Sequence, residues 1–455
     1  MATVNRRVFY SFLSALVIIV GSFASIQYAK GKYRLTNSGF AEGTGLLSAT
    51  SFPTGAEVYV DNKLVTATDD TFYLEPGEYN IRIANDGYNT WEKRLKIEQE
   101  LVTQTNAKLF PIAPSLSTLT FTGAENIVPS PDGQKIAYYT ASASAERKNG
   151  LYVLDLGNNP LSLQRGPRQI VADTAQIDLS KARLIWSPDS SEILLLSDAR
   201  TVILQAGQLN ELTTLPDVSF SRRQLLADWE QEMFLREQEF LTQFPDEVIA
   251  IATQSAKNVY ISPDKKRLLF TATQVATIPD SIVPPLPATN TQPEERTLQP
   301  GGIYVYDREE DKNFRLGSEA TDSGTLSANL ETKDFIHKGE KQLLSTNLSI
   351  QSATNSALFQ TLQATESGKL FQNFSSYHSS LFVDSYQWFP NSRHLLYVEN
   401  NLIKIMEYDG QNRTTIYSGP FANEFVYPWP DGSRLLIQTS FSPDTPENLY
   451  AIELD

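Results

Sequence analysis

Four aspartates recur in one short sequence context, and repeated carboxylates could do acid–base chemistry. Each follows a proline and precedes a run of apolar residues: Asp132, Asp189, Asp264 and Asp431. Two carboxylates that face one site can serve as general acid and general base. The context favours a structural interpretation instead, because an aspartate in a turn accepts hydrogen bonds from its own backbone. We therefore expect these carboxylates to hold turns rather than to catalyse.

Other patterns that carry chemistry do not appear in the sequence. There is no G-x-S-x-G elbow, phosphate-binding loop or H-E-x-x-H motif. The three histidines and the early aspartates lack the spacing of metal ligands: they are His337, His378, His394, Asp61, Asp69 and Asp70. No cysteine is present, which excludes disulfides, thiolate zinc sites and a cysteine nucleophile. The sequence thus predicts no catalytic residue, no metal site and no cofactor.

The composition favours strands and excludes one class of partner. Aromatic residues make up 11% of the 455 residues, with 23 Phe and 20 Tyr, and aromatic side chains are enriched in strands. The formal net charge of −15 repels phosphate backbones. We therefore expect an all-β protein that does not bind nucleic acid.

An uncharged segment, residues 8–29, stands near the N-terminus. As a helix it is long enough for a hydrocarbon core of about 30 Å. The alternative, a cleaved signal peptide, lacks a small-x-small site after the apolar run. Basic residues flank both sides, so they give no orientation. We predict a cytoplasmic tip and single-pass anchor over 1–32, a tether over 33–45, and an extracytoplasmic globular part. The anchoring side chains are Val8, Phe12, Leu13, Leu16, Val17, Ile18, Ile19, Val20 and Phe23.

Residues 46–112 alternate short strand patterns with turns, which predicts a small β-sandwich. The turn positions are Pro53, Gly55, Ala56, Pro76, Gly77 and Gly87. With Tyr79 and the Tyr59-Val60-Asp61 strand end, they resemble the PEGA domain family, whose tetrapeptide appears here as Pro-Thr-Gly-Ala. The resemblance implies a bacterial envelope β-sandwich without catalytic activity. Tyr88 and Trp91 fill the core in the simpler interpretation; stacking on a sugar is the alternative.

A turn pattern recurs along the rest of the chain, with a strand on each side. Clear copies occupy 130–138, 186–194, 261–269, 388–396 and 429–436, and a worn copy lies at 337–341. The turn residues are Asp132, Gly133, Asp189, Asp264, Asn391, Asp431 and Gly432. Further strands follow several copies, so each unit predicts a four-stranded sheet that must stack against its neighbours. Residues 116–121 would pair with the last sheet and hide its edge.

These turns resemble the TolB-type or WD40-like β-propeller family over residues 115–455. The five clear copies and the worn one predict six blades, and the resemblance implies little about function, because propellers serve many chemistries. Residues 221–245 have helical spacing and predict one helical insertion, either packed on the propeller or docking a partner. Residues 275–300 are proline-rich and predict an extended, mobile loop.

The sequence favours a membrane-anchored, non-catalytic bacterial envelope protein. We expect it to bind or scaffold a surface glycan or protein through the propeller and the PEGA-like domain. The alternative is a propeller-type hydrolase that acts on envelope glycan or peptide. A third possibility is a sensor that faces the cytoplasm.

Overall fold

The computed structural model describes residues 6–29, 34–35, 41–141, 145, 148–157, 166–174, 177–284, 286, 290–319, 386–422, 425–442 and 445–455. The chain divides into two compact units. The first unit comprises Met1–Phe110 and Leu286–Gln292, and the second comprises Pro111–Pro285 and Pro293–Asp455. The worn repeat at 337–341 and two histidines, His337 and His378, lie outside the described residues.

The first unit begins with a long helix, α1, which runs from Arg6 to Ala29. Its described apolar side chains are exposed, at 44% to 66% for the large ones between Leu13 and Phe23. Among the described residues, no helix combines the length and the apolar character needed to cross a bilayer.

Eleven short strands follow in this unit. They are β1 (Arg34–Leu35), β2 (Ala41–Glu42), β3 (Gly45–Ala49), β4 (Ser51–Phe52), β5 (Glu57–Val60), β6 (Lys63–Ala67), β7 (Asp70–Leu74), β8 (Gly77–Ala84), β9 (Trp91–Ile97), β10 (Val102–Gln104) and β11 (Ala107–Lys108).

An antiparallel sheet of order β6-β5-β8-β9 and a smaller sheet of order β10-β3-β7 contribute to one core. The two-residue strands β4 and β11 also pair. Burial alternates strictly along β9, where every second side chain from Trp91 to Ile97 is buried. This period of two is what a strand with one face in a core requires. The Trp91 ring is 2% exposed in that core, which leaves no open face for a sugar.

A segment distant in sequence, 290–292, covers the outer edge of β9. The Gln292 side-chain amide donates to the backbone carbonyl of Arg94 at 2.7 Å, and the Lys96 backbone N–H donates to the Thr291 hydroxyl at 3.3 Å. Because β9 ends the sheet, its outer backbone groups would otherwise be open to another strand.

The second unit contains twenty-one strands and two helices in its described part. They are β12 (Leu116–Thr118), β13 (Glu125–Pro129), β14 (Lys135–Thr140), β15 (Gly150–Asp155), β16 (Arg168–Ala172), β17 (Arg183–Trp186), β18 (Glu192–Leu196), β19 (Thr201–Gln205), α2 (Arg222–Leu241), α3 (Asp246–Gln254), β20 (Ala256–Ile261), β21 (Arg267–Ala272), β22 (Ala276–Thr277), β23 (Thr297–Leu298), β24 (Gly302–Asp307), β25 (Lys312–Ser318), β26 (Tyr386–Trp388), β27 (His394–Glu399), β28 (Leu402–Glu407), β29 (Thr414–Tyr417), β30 (Val426–Pro428), β31 (Arg434–Thr439) and β32 (Asn448–Glu453).

All of these strands except β22 and β23, which pair with each other, form five antiparallel sheets, each built around one copy of the repeated turn. Sheet 1 is β13-β14-β15-β16, sheet 2 is β17-β18-β19, sheet 3 is β20-β21-β24-β25, sheet 4 is β26-β27-β28-β29, and sheet 5 is β12-β32-β31-β30. In sheet 5 the strand from early in the unit pairs with the last strand of the chain, Ser117 opposite Ala451. Every sheet in the described residues is open, and sheet 2 has three strands rather than four.

The second strands of these sheets are buried almost throughout, and every residue of β21 is buried. A continuous apolar run of strand length indicates a strand covered on both faces. Neighbouring sheets provide much of this cover, and helices cover one face of sheets 2 and 3. Sheets 1 and 2 share one core, sheets 3 and 4 share another, and sheets 1 and 5 share a third.

The insertion after sheet 2 contains two helices, of which the sequence predicts one. Helix α2 packs Leu226, Trp229 and Met233 on sheet 2, and α3 packs on sheet 3. Pro245 separates them, because proline suits a helix start and not a helix interior.

The described part of the proline-rich segment 275–300 contains two short strands. Strands β22 and β23 pair at its two ends. Arg296 joins those ends, because its guanidinium pairs with Asp280 at 3.0 Å and with Asp311 at 3.3 Å. The proline content of the segment indicated a loop. It could not indicate this ion-pair cluster, because Asp311 lies outside the segment.

Candidate functional site

Each repeated aspartate accepts a hydrogen bond from its own turn. Its Oδ1 receives the backbone N–H two residues later, in the pairs Asp132–Gln134 (3.0 Å), Asp189–Ser191 (3.1 Å), Asp264–Lys266 (3.1 Å) and Asp431–Ser433 (2.9 Å). Asn391 takes the same position and receives the N–H of Arg393 at 3.0 Å. The shared bond is the one that an Asx turn makes.

A serine before the proline uses the same oxygen in three of the turns. The hydroxyls of Ser130, Ser187 and Ser262 donate to Oδ1 of the aspartate two residues later. Each hydroxyl also accepts the backbone N–H five residues further on, at 2.9 Å. In the second turn the Ser187 hydroxyl is the main cause that holds the pKa of Asp189 below its usual value. These bonds stabilise the ionised carboxylate as an acceptor in the turn.

The turns of sheets 1 and 2 are joined to each other. The Asp132 backbone N–H donates to the Ser190 hydroxyl at 3.1 Å, and the Lys135 ammonium donates to the Ser190 carbonyl at 2.8 Å. Ser190 is completely buried. Its side chain and main chain therefore connect two sheets at one end.

The turns of sheets 3 and 4 repeat this arrangement. The Asp264 backbone N–H donates to the Ser392 hydroxyl at 2.9 Å, and the Arg267 guanidinium donates to the Ser392 carbonyl at 3.1 Å. The same two turn positions form the contact at both junctions. One turn contributes a serine two residues after its proline, and the preceding turn contributes a basic residue four residues after its own proline. Sequence reasoning missed this role, although the serine and the basic residue are both visible in the repeats.

Glycine takes that serine position in two other turns, where an aromatic side chain of a neighbouring sheet lies close. A Cβ at Gly133 would lie 3.0 Å from the Tyr427 hydroxyl of sheet 5, and one at Gly432 would lie 3.0 Å from the Phe389 ring. Both glycines have positive φ angles, 71° and 73°. The turn position two residues after the proline thus lies at four junctions between sheets. It is a serine at two of them and a glycine at the other two.

A buried ion pair lies behind the turn of sheet 3. Arg267 Nε lies 2.8 Å from Asp307 Oδ2, and both side chains are less than a tenth exposed. The guanidinium also lies 4.1 Å from the centre of the Tyr408 ring of sheet 4. Asp307 Oδ1 accepts the backbone N–H groups of Glu309 and Glu310. Both charges are therefore used in holding the turn and the junction.

The turn residues of the first unit occupy the loops between its strands. Pro53 follows a cis peptide bond, and Gly55 and Gly87 have positive φ angles. Ala56 is completely buried, and its N–H donates to the Thr68 hydroxyl at 2.9 Å. Pro76 and Gly77 lie where β7 ends and β8 begins. These positions shape loops and are not brought together into one site.

The described anchor residues all lie on α1. Leu13, Leu16, Val17, Ile18, Ile19, Val20 and Phe23 are exposed. Val8 and Phe12 belong to the same helix, and their side chains lie outside the described part of the structure.

The described residues include no group of three side chains that could hold a metal ion. His394 is 4% exposed, and its Nδ1 lies 3.0 Å from the Asn391 side-chain nitrogen. It thus supports the turn of sheet 4. The other two histidines are outside the described residues.

One carboxyl group is buried without a charged neighbour. Glu230 on α2 is 6% exposed, and its Oε1 has no hydrogen-bond partner in the described residues. Burial raises the pKa of this carboxyl from 4.5 to about 7. The sequence pattern hides it, because glutamate at this position looks like part of a solvated helix face.

An open cleft of about 410 Å³ lies beside the loop between β31 and β32. It is lined by Ser440, Phe441, Ser442, Thr445 and Glu447. It combines an aromatic ring with hydroxyl groups and one carboxylate, and its residues follow the last copy of the repeat, 429–436.

Solved structures that are similar to the chain share little sequence with it. A structure assigned as TolB from Agrobacterium tumefaciens is 12% identical, with 74% of this chain and 83% of that chain covered and a TM-score of 0.20. TolB from Acinetobacter baumannii is 11% identical, with a TM-score of 0.15. The match covers 82% of this chain and 54%, or about half, of that chain. Oligogalacturonate lyase from Vibrio parahaemolyticus is 8% identical, with 83% of this chain and 86% of that chain covered and a TM-score of 0.24. None of these scores supports a conclusion about fold or activity.

Sequence comparison identifies one part of the chain. No curated protein matches it. The family model of the PEGA domain matches residues 44–112, which contain β3 to β11. This match confirms, for residues 44–112, the resemblance seen in the turn residues.

Proposed function

We propose that this protein is a non-catalytic, membrane-anchored envelope protein that binds or scaffolds a surface glycan or protein. The observation that carries the proposal is the state of the repeated aspartates. Each one accepts a backbone N–H of its own turn, so the most conspicuous carboxylates in the sequence are used in structure. The PEGA-domain match at 44–112 supports an envelope-associated β protein.

The proposal includes a ring of sheets in the second unit. Side-chain cores link sheet 1 to sheet 2, sheet 3 to sheet 4, and sheet 5 to sheet 1. Phe389 beside Gly432 links sheet 4 to sheet 5. Helix α2 packs on sheet 2 and α3 on sheet 3. The described residues account for five sheets of the proposed ring, and the sixth copy expected at 337–341 lies outside the described residues.

The proposed anchor is α1. Residues 8–29 carry no charged side chain, and the described apolar side chains of the helix are exposed. Lipid would cover these side chains, which water does not solvate favourably. Alkaline carbonate should leave the full-length protein in the membrane fraction, and a variant lacking residues 1–32 should be soluble. Release of the full-length protein by carbonate would contradict the anchor.

Capture from envelope extracts tests the binding function. Full-length protein in a mild detergent is incubated with solubilised envelope proteins and, separately, with purified cell-wall glycan. We expect saturable binding of one component and no breakdown of it. A control variant has all four repeated aspartates changed to Asn. If the wild type breaks down glycan or peptide and this variant does not, the result would favour the hydrolase and contradict the proposal.

A further inference from the structure

Arg183 is the first residue of β17, and it lies on the side of sheet 2 that α2 covers. It stands directly opposite Leu196, which in turn stands opposite Thr201 of β19. Residues that face each other across antiparallel strands share one side of the sheet, and so do residues two apart in one strand. Arg183 therefore shares its side with Ile185 and Leu196, which contact the apolar cluster beneath α2.

Helix α2 begins at this same end of sheet 2. The Val218 N–H donates to the Thr201 carbonyl, the Ser221 N–H donates to the Val218 carbonyl, and the helix follows. The apolar cluster is incompletely covered here, because Leu196 and Val218 are only partly buried. Arg183 therefore stands at the edge of the interface between sheet 2 and α2, beside apolar side chains that solvent still reaches.

The Arg183 guanidinium has no partner in the part of the chain that the structure describes: it makes no hydrogen bond, ion pair or contact with an aromatic ring. Burial lowers the pKa of this side chain, and no neighbouring charge contributes. Moving a charge out of water without a counter-charge costs free energy of folding. None of its nitrogens is a buried atom that lacks a partner, so the guanidinium still reaches solvent and a ligand can contact it.

The other buried and half-buried arginines in the described part of the second unit all have partners. Arg168 pairs with Asp155 at 3.6 Å, and Arg267 pairs with Asp307 at 2.8 Å. The chain carries 53 acidic and 38 basic residues, so carboxylates outnumber cations, and still none lies beside Arg183. Charged groups held in unfavourable surroundings are concentrated at functional sites. The unpaired guanidinium indicates a site whose counter-charge comes from a ligand.

We propose that Arg183 binds the carboxylate of a small organic acid, whose apolar part lies against Leu196 and Val218. The planar guanidinium presents two parallel N–H groups, which match the two oxygens of a carboxylate. A single cation on a chain with a net charge of −15 favours a ligand with one negative charge over the more highly charged phosphate. This site goes beyond the proposed binding of an envelope component, and its test does not require that component.

The test compares butyrate with a neutral analogue and with an inorganic anion. Full-length protein in a nonionic detergent is titrated calorimetrically at pH 7 and constant ionic strength. The probes are sodium butyrate, butyramide, which has the same shape without the charge, and inorganic phosphate. We expect saturable binding of butyrate, no binding of butyramide and weaker binding of phosphate. Absence of butyrate binding, equal binding of butyramide, or tighter binding of phosphate would overturn the proposal.

Three variants locate the binding. Arg183→Met removes the charge at similar length and should weaken butyrate binding at least about tenfold, and Arg183→Lys, which keeps the charge without the planar fork, about 3-fold. Arg168→Met is the matched control, because Arg168 is also half-buried but already pairs with Asp155; it should bind butyrate as the wild type does.

Urea denaturation without ligand shows that lost binding does not come from unfolding. Arg183→Met should unfold at the same urea concentration as the wild type or at a higher one, because it no longer buries an unpaired charge. Unchanged butyrate binding in Arg183→Met, or an equal loss of binding in Arg168→Met, would overturn the site.

Discussion

The Ser392 hydroxyl accepts the backbone N–H of Asp264 at 2.9 Å, across two sheets and 128 positions of sequence. Ser190 does the same for Asp132 over 58 positions. In both cases the serine stands two positions after the proline of its own turn. The aspartate whose N–H it accepts directly follows the proline of the other turn. The repeated turn therefore shapes its own hairpin and also provides the contact surface for the next one.

Removing this hydroxyl should destabilise the junction. In Ser392→Ala the Asp264 N–H loses its partner at a site where the serine is 2% exposed. Because Asp264 itself is exposed, the loss is that of one partly buried hydrogen bond, and the free energy of unfolding should fall by about 0.5–1.5 kcal/mol. Urea denaturation of the full-length protein in detergent measures it. Ser433→Ala is the control, because the Ser433 hydroxyl bonds within an exposed turn. An equal loss of unfolding free energy in this variant would show that the junction bond contributes no more to stability than a bond within one turn.

The acceptor oxygen, not the charge, should matter most in the turn of sheet 2. Asp189→Asn keeps the Oδ1 acceptor, as Asn391 does in sheet 4, whereas Asp189→Ala removes it. We expect the Ala variant to lose about 1 kcal/mol at pH 7 and the Asn variant less. Thermal unfolding compares them, and equal losses would contradict the assignment.

The pH dependence of the same residue follows from its lowered pKa. A depressed carboxyl pKa contributes stability above the unfolded value, which is lost as the pH falls through the folded value. The stability difference between wild type and Asp189→Asn should therefore shift against the wild type below about pH 4. A difference that stays constant from pH 7 to pH 3 would exclude this contribution.

Glu230 should destabilise α2 as the pH rises. Burial raises its pKa to about 7 from 4.5, so the folded state favours the protonated carboxyl. Stability is then lost as the pH rises from the unfolded value through about 7. Glu230→Gln should unfold at a higher temperature than the wild type at pH 8 and at the same temperature at pH 4. Glu232→Gln, on the exposed side of the helix, should not show this crossover.

The pair of Arg267 and Asp307 should tolerate no loss of charge on one side. Asp307→Asn keeps an acceptor for the turn but removes the buried counter-charge of Arg267, which retains only the longer pair with Asp264 at 3.3 Å. Breaking a buried ion pair from one side costs about 3–5 kcal/mol. Glu399→Gln breaks the exposed pair with Lys404 and should cost less than about 1 kcal/mol. Similar losses in the two variants, measured by urea denaturation, would contradict this difference.

Local sequence patterns predicted the hairpins and the sandwich, because proline, aspartate and glycine fix turn geometry within a few residues. Residues 116–121 were also expected to meet the last sheet, and β12 pairs with β32. The hairpins depend on turn chemistry, which is local, whereas the pairing with the last sheet was inferred from the repeats, whose last sheet needs a cover for its edge.

Contacts between distant residues were not predictable in this way. Nothing near Asp264 indicates Ser392, and nothing near Arg267 indicates that Asp307 will lie 2.8 Å away. The second helix was missed because residues 246–254 are short and apolar, and such a run suits a strand or a helix equally. The cleft was missed because Phe441 and Glu447 are ordinary loop residues until the fold places them together.

The most direct test changes all four repeated aspartates to Asn in the full-length protein and measures capture of the envelope component beside the wild type. The account predicts a folded variant that captures the same component with similar affinity, because these carboxylates serve their own turns. A variant that folds, as shown by circular dichroism, but no longer captures the component would place the aspartates in the functional site and contradict the account.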